Sequence, residues 1–229
     1  MPARRRRRAV IPWWLQVAWI GLYVGGVLGI AQWIAGRRTA NEYTRKFVHI
    51  ATGNIVVPTW LLDVPLWLAL TFSGAFCVVT LLSYRLPILG SLSGIDRRSW
   101  GTFFYALSIA LLIAVCWPTG QQRAAVVGIL VMTWGDALAA LVGQALGRWV
   151  YTVFGVKKTV EGTLAMVATS FVVALAVLAP AVGAGAVPIA LAVALLAAAL
   201  EVVSIGGVDN LTVPLGSAAL CAWLLQGSP

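Results

Sequence analysis

Apolar stretches recur along most of the chain and are separated by short polar breaks. Most are close to the ~20 residues that an α-helix needs to cross the hydrocarbon core of a bilayer. They lack the strict alternation of polar and apolar positions expected of a transmembrane β-strand, and their Ala and Leu content favours helix. The pattern predicts spans at about 13–35, 47–63, 65–84, 102–118, 124–143, 163–181, 186–204 and 208–226.

Composition also indicates an integral membrane protein. The chain of 229 residues is 61% hydrophobic and 10% charged, whereas a soluble domain carries roughly 25% charged residues. We therefore predict an all-α fold, a polytopic membrane helical bundle of about 7–8 transmembrane helices. Residues 1–12 form a basic N-terminal segment, and residues 13–229 form a single integral membrane domain. The net charge of +9 does not indicate nucleic-acid binding, because the basic residues have no folded soluble surface to occupy.

Basic residues collect on one side of this predicted topology. The connections at about 36–46, 85–101, 144–162 and 205–207 face the same side and hold ten of the sixteen Lys and Arg residues. The positive-inside rule places that side in the cytoplasm. The five arginines from Arg4 to Arg8 fall on the opposite side and conflict with this orientation. A re-entrant or non-spanning early segment would resolve the conflict.

Acidic residues gather at the same edge. Of the seven, only Asp63 lies away from the cytoplasmic connections or the two helical turns beside them. A channel or proton-driven transporter would spread its acids along a path through the bilayer. This edge instead predicts a site that takes an anionic, water-soluble ligand from the cytoplasm and meets a lipid at the interface.

Asp136 lies within an apolar run, where a carboxylate costs several kcal/mol unless it is compensated. The small residues Gly135, Ala139, Gly143 and Gly147 recur beside it at intervals of four and predict close helix packing. Gly143 and Gly147 could also let a phosphate approach the backbone. Asp136 is therefore a candidate functional residue, with a structural salt bridge as the alternative.

The run RKFVHIATGN at 45–54 enters the second predicted span. Arg45 and His49 share one helix face, with Lys46 beside them. Arg45 and Lys46 could hold phosphates while His49 donates a hydrogen bond to a phosphate or substrate oxygen. The alternative for His49, the single histidine of the chain, is a buried imidazole with a structural hydrogen bond.

A third cluster, GVKKTVEGT at 155–163, leads into the sixth predicted span. The first turn of a helix offers free N–H groups and a positive dipole end, and Lys157 and Lys158 add charge before it. Glu161 could hold a divalent metal or pair with a lysine. A juxtamembrane anchor would explain the lysines but not the Glu-Gly-Thr that follows them.

The last cluster joins the end of the seventh span to the start of the eighth. Glu201, Asp209 and Asn210 are residue types that Mg²⁺ takes as ligands together with waters and substrate phosphates. An Asx helix cap at Asp209 is the alternative. Acids, bases and one histidine at a single edge indicate metal-assisted phosphoryl chemistry on a nucleotide.

RKFVHIATGN at 45–54, GDALAALVGQALGR at 135–148, KKTVEGT at 157–163 and DNLTVPL after Glu201 occur in one order over about residues 45–220. In order and spacing these motifs resemble the polyprenol kinase family, the CTP-dependent membrane kinases of phytol, dolichol and diacylglycerol, and are most similar to its phytol kinase branch. The resemblance implies transfer of the γ-phosphate of CTP, with Mg²⁺, to the hydroxyl of phytol or geranylgeraniol. The membrane implied is the bacterial inner or a photosynthetic membrane, with the active site facing the cytoplasm.

Three alternatives remain at this point. The first is a kinase of dolichol, undecaprenol or diacylglycerol, and the second is a cytidylyltransferase. The third, from another class, is a lipid transporter or flippase, or a lipid-binding scaffold.

Carried over by position, the resemblance assigns a role to each candidate. The expected catalytic residues are Asp136, His49, Lys158 and Asp209, and the expected metal ligands are Asp136, Glu161, Glu201 and Asp209. The expected nucleotide-binding residues are Arg45, Lys46, Gly143, Gly147, Arg148, Lys157, Lys158, Thr159, Gly162, Thr163 and Asn210.

Overall fold

The computed structural model describes residues 11–37, 42–85 and 100–227. Its helices are α1 (Trp13–Arg37), α2 (Glu42–Asn54), α3 (Val56–Leu61), α4 (Leu66–Ser83), α5 (Gly101–Cys116), α6 (Gln122–Leu130), α7 (Ala137–Leu146), α8 (Val160–Val182), α9 (Ala186–Val203) and α10 (Asp209–Gln226). A π-helical segment, Val131–Asp136, joins α6 to α7, and a 3₁₀ turn, Gly183–Gly185, joins α8 to α9. Two short strands, β1 (Val150–Val153) and β2 (Val156–Thr159), precede α8.

The helical membrane bundle expected from the apolar stretches is confirmed. Four helical stretches within the described residues are long and apolar enough to cross a membrane: Trp13–Ile34, Leu66–Ser83, Gln122–Leu146 and Val160–Val203. The last contains both α8 and α9, which pack along each other as a helical hairpin because Gly183 turns the chain with a φ of +57°. The number of spans, predicted as seven or eight, stays a prediction.

The second predicted span differs from the structure. It was expected as one helix over 47–63, but α2 begins at Glu42 and a break at Ile55 separates it from α3. Pro58 explains the break, because it has no N–H to donate to the carbonyl of Asn54 four residues earlier.

The core of the bundle lies around α6 and the π-helical segment. Every α6 residue from Ala124 to Leu130 is buried, and α5, α8 and α10 pack around this helix. The approach of α10 is close, since a Cβ on Gly128 would collide with the Pro214 carbonyl oxygen. The π-helical segment is therefore held in the middle of the molecule by its neighbours.

The predicted loop at 144–162 contains a β-hairpin. β1 and β2 pair antiparallel, with Val150 opposite Thr159 and Val153 opposite Val156. Phe154 and Gly155 form the turn with φ values of +48° and +81°, and positive φ at both central residues is the requirement of a type I′ hairpin turn. Val150 and Phe154 remain exposed, so the short strands lie at the surface of the bundle.

The chain reverses direction at two edges of the bundle. One edge holds the hairpin, the end of α9 and the start of α10, while the other holds the turns at Trp117–Gln121 and Gly183–Gly185. The Trp13 and Trp67 rings lie 6.3 Å apart, which places the start of α1 beside the start of α4.

Several residues of the predicted charge pattern lie outside the described residues, namely Arg4 to Arg8, Arg38, Asp96, Arg97 and Arg98.

Candidate active site

Asp136 ends the π-helical segment and forms an ion pair with Lys46 of α2. Lys46 Nζ lies 2.5 Å from Asp136 Oδ2 and also donates to the Asp136 carbonyl oxygen at 3.3 Å. Lys46 is only 3% exposed, so leaving either charge without its partner would be costly. The structural salt bridge considered for Asp136 is therefore present, with Lys46 as its partner.

His49 packs between Asp136 and an aromatic ring that the sequence did not single out. Its Nε2 lies 3.7 Å from Asp136 Oδ2 and 3.3 Å from the Met132 carbonyl oxygen. The Tyr105 ring stacks on the imidazole at a centroid distance of 4.0 Å, and its hydroxyl donates to the His49 carbonyl oxygen at 3.1 Å. The Tyr105 hydroxyl also lies 2.7 Å from Thr133 Oγ1. This network fixes the imidazole beside the carboxylate.

Lys158 extends from β2 to the end of α9. Its Nζ lies 2.5 Å from Glu201 Oε1 and also donates to the Glu201 carbonyl oxygen. The second contact places a cation at the C-terminus of α9, where the helix dipole favours positive charge. The hairpin therefore presents a lysine to the same edge as the membrane-embedded carboxylates.

The glycine ladder packs α7 against the start of α8. A Cβ on Gly143 would lie 2.8 Å from Thr159 Oγ1, and one on Gly162 would lie 2.9 Å from the Ala139 carbonyl oxygen. A Cβ on Gly147 would meet the Thr159 side chain at 2.6 Å. The close helix packing predicted from these small residues is observed.

The first turn of α8 differs from the expected anion site. Val160 N–H donates to the Trp149 carbonyl oxygen at 3.0 Å, and Gly162 N–H donates to Thr159 Oγ1, the helix cap, at 3.1 Å. These N–H groups are already paired, so they are not free for a phosphate as the sequence suggested. An anion bound here would depend on Lys157 and Lys158.

The predicted metal-binding acids contact different partners. Glu161 Oε1 accepts from the backbone N–H groups of Arg148 at 2.9 Å and Trp149 at 3.3 Å, which ties α8 to the start of the hairpin. Asp209 Oδ1 accepts from the Asn210 side-chain amide at 3.1 Å. Within the described ranges, no three His, Cys, Asp or Glu residues are grouped closely enough to hold a metal. The acids share an edge but do not form one ligand set.

A cavity of about 270 Å³ lies between α7, β2, the start of α8 and the end of α9. Most of its wall consists of predicted site residues: Asp136, Gly143, Lys157, Lys158, Thr159, Gly162, Thr163 and Glu201. Ala139, Ala140 and Gln144 complete it, whereas Gly147, Arg148 and Glu161 lie outside its lining. We call this the large cavity, by comparison with a smaller one on the other side of Asp136. A wider cavity of about 900 Å³ lies apart from both, between the turn that joins α8 to α9 and the end of α10.

The large cavity fits a Mg²⁺ ion with phosphates. Mg²⁺ is usually bound by one or two carboxylates, waters and substrate phosphates rather than by an all-protein cage. Asp136 and Glu201 supply two carboxylates to one cavity wall, and Lys157 and Lys158 supply cations for phosphate oxygens. Asp136 and Glu201 are therefore the residues that would hold the ion.

A second, smaller cavity lies on the α2 side of Asp136. It brings together four further predicted residues, Arg45, Lys46, His49 and Asn210, whereas Asp209 lines neither cavity. Asp136 is the one residue that lines both cavities among those that the structure describes. We call this the small cavity.

Comparison with known proteins assigns the chain to a family. No protein-family model and no solved structure matches it. It is 46% identical over 218 residues to a phytol kinase of Synechocystis sp., covering 93% of this chain and 92% of that protein. The chain belongs to the polyprenol kinase family, in the phytol kinase branch. A dolichol kinase of Saccharomyces cerevisiae is 29% identical over 146 residues, which are 59% of this chain and 27% of that protein.

Membership confirms the resemblance and the enzyme class predicted from the motifs. This polyprenol kinase is a membrane protein that phosphorylates a lipid alcohol with a nucleotide donor. The sequence did not point to Phe76, Thr102 or Tyr105, which line the small cavity of the kinase. They belong to apolar spans outside the four motifs. The stacking of Tyr105 on His49 and the packing of α4 against α5 bring them to the cavity beside Asp136.

Proposed function

We propose that this kinase transfers the γ-phosphate of CTP to the hydroxyl of an isoprenoid alcohol, phytol or geranylgeraniol, with Mg²⁺. The observation that carries the proposal is the large cavity, where two lysines and two carboxylates meet at one edge of a membrane bundle. The identity of 46% with a phytol kinase supports the choice of alcohol. We also propose that the membrane is a bacterial inner or photosynthetic membrane and that this edge faces the cytoplasm.

Lys157 and Lys158 bind the nucleotide phosphates in this proposal. Phosphoryl transfer depends mainly on positioning and on neutralising charge that spreads over the phosphoryl oxygens. Lys158 is held by Glu201, so its ammonium group is already placed before the nucleotide binds. Mg²⁺ held by Asp136 and Glu201 would further neutralise the phosphates.

Asp136 accepts the proton of the alcohol in this proposal. The alcohol oxygen forms a bond to the γ-phosphorus while the bond from that phosphorus to the β,γ-bridging oxygen breaks. CDP leaves with the electron pair of the broken bond, and the hydroxyl proton passes to the carboxylate. Lys46 holds this carboxylate in place through the 2.5 Å ion pair.

The test is phosphoryl transfer by purified protein. γ-Labelled CTP or ATP is supplied with Mg²⁺ and phytol, geranylgeraniol, farnesol, undecaprenol, dolichol or diacylglycerol, and label is measured in the lipid phase. We expect label in phytol or geranylgeraniol, with CTP preferred to ATP. Absence of transfer to every alcohol would overturn the proposal, and release of pyrophosphate would indicate cytidylyl transfer instead. Chelation of Mg²⁺ is expected to abolish transfer.

A further inference from the structure

The two cavities at Asp136 differ greatly in size. The large cavity measures about 270 Å³ and the small cavity about 30 Å³. On this measure a water molecule needs roughly 10–15 Å³. The small cavity therefore has room for a hydroxyl and its neighbouring methylene, but it is too small for a nucleoside triphosphate.

The wall of the small cavity combines polar and apolar side chains. His49 and Asp136 supply polar groups, while Val48 of α2 and Phe76 of α4 supply apolar surface. Thr102 and Tyr105 extend the wall along the first turns of α5. This combination matches an alcohol at the end of a hydrocarbon chain, because the hydroxyl finds polar partners and the chain does not.

Charge on the small cavity also agrees with an alcohol that becomes a phosphate ester. Arg45 lies in its wall, and Lys46 is paired with Asp136. A phosphoryl group arriving on the hydroxyl would meet the Arg45 guanidinium, whose planar geometry suits phosphate oxygens. Before transfer, the neutral hydroxyl meets His49 and Asp136.

We propose that the small cavity binds the hydroxyl end of the acceptor alcohol, so that donor and acceptor meet across Asp136 from opposite sides. The inference rests on the proposed function and adds the acceptor subsite to it. Among the described residues, Asp136 is the one that lines both cavities. The γ-phosphate leaves the α8 side of the carboxylate and reaches the alcohol on its α2 side.

Substitutions of Thr102 separate the effect of cavity volume from the effect of a lost hydrogen bond. Thr102→Val keeps the side-chain volume and removes the hydroxyl, whereas Thr102→Leu removes the same hydroxyl and also fills the cavity. We expect Thr102→Leu to raise the KM for the alcohol at least about tenfold relative to Thr102→Val, with the KM for CTP changed less than about twofold. If the Thr102→Leu variant unfolds below the assay temperature, Thr102→Ile replaces it, because Ile is larger than Val by only one methylene.

Thr163 supplies the matched pair in the large cavity. Its hydroxyl lies 2.5 Å from the Tyr151 hydroxyl, and both Thr163→Val and Thr163→Leu lose that contact equally. We expect Thr163→Leu to raise the KM for CTP relative to Thr163→Val and to leave the KM for the alcohol unchanged. The two pairs together give opposite responses if each substrate occupies its own side of Asp136.

Direct binding of labelled geranylgeraniol without nucleotide distinguishes this inference from the proposed function. Weaker alcohol binding by Thr102→Leu than by Thr102→Val supports the acceptor subsite even if transfer to that alcohol is absent. The inference is overturned if Thr102→Leu raises the KM for CTP instead, or if alcohol binding and both KM values match those of Thr102→Val.

Discussion

A carboxylate inside a membrane helix needs a compensating charge, and Lys46 supplies it to Asp136 from a position 90 residues away in sequence. The ion pair means that Asp136 carries two roles in our proposal, one in folding and one in phosphoryl transfer. Replacing it alone removes both, because the buried ammonium of Lys46 then loses this ion pair.

Paired substitutions separate the two roles. Asp136→Asn is expected to lower kcat at least ~10²-fold, since it removes the proton acceptor. It should also lower the melting temperature in detergent, because Lys46 is left charged and only 3% exposed. The double variant Lys46→Met/Asp136→Asn is expected to recover most of the melting temperature but none of the activity. Near wild-type turnover by the double variant would reduce Asp136 to a structural role.

The contact between α7 and α8 depends on small residues rather than on large apolar ones. Gly162 of α8 lies against the Ala139 carbonyl oxygen of α7. This oxygen belongs to the helix backbone, so it cannot rotate away from an added Cβ as a side chain could. The same contact places Thr159 and the two lysines opposite Asp136. Helix spacing and cavity shape are therefore set by one interface.

Gly162→Ala is expected to destabilise the protein by about 1–3 kcal/mol, because its Cβ must displace a backbone carbonyl. We expect a lower melting temperature and weaker CTP binding in a fluorescence titration. Gly74→Ala is the matched control, since Gly74 is also helical and a Cβ there meets nothing within 4 Å. Equal melting temperatures for the two variants would contradict a close backbone contact at Gly162.

The helices were largely predictable, because a run of about 20 apolar residues has few other stable structures in a bilayer. The hairpin at 150–159 was not, since VYTVFGVKKT carries strand-forming residues that are easily taken for a loop beside long apolar spans. The π-helical segment also escaped prediction. Nothing in VMTWGD differs from an α-helical sequence, and its π geometry becomes visible only in the packed bundle.

The residues that line the candidate site were predictable in type, but their pairing was not. The motifs identified Asp136, Lys158 and Glu201, yet the partner of each depends on contacts between distant elements. Lys158 and Glu201 are separated by 43 positions, and no local spacing relates them. Glu161 illustrates the same limit, because the motif did not indicate that its carboxylate accepts from the backbone of Arg148.

The whole bundle has one polar edge, with both cavities near it, and an opposite edge of short turns. From the positive-inside rule we expect the polar edge to face the cytoplasm, as proposed above. α1 begins near Trp67, at the opposite edge, so the segment that precedes it is expected on the outer side. That orientation opposes the charge of the five N-terminal arginines.

Labelling with a membrane-impermeant maleimide tests the orientation in bacterial spheroplasts. Thr119→Cys, in the turn after α5, is expected to react in intact spheroplasts, and Thr152→Cys, in the exposed hairpin, only after permeabilisation. Ala3→Cys should behave like Thr119→Cys. The parent protein, with free Cys77, Cys116 and Cys221, gives the background. The reverse pattern for Thr119 and Thr152 would place the candidate active site outside the cytoplasm.

The π-helical segment has a consequence for how this chain tolerates change in length. Each residue of an α-helix turns the following ones by about 100°, so one residue gained or lost rotates every later side chain onto another face. Asp136 must face α2 while Gly143 faces α8, and the wide turn at Val131–Asp136 sets the angle between them. A substitution in the continuous helix of α6, the π-helical segment and α7 keeps the direction of the other side chains. A single-residue insertion or deletion there would rotate all the following side chains that line the two cavities away from their present positions.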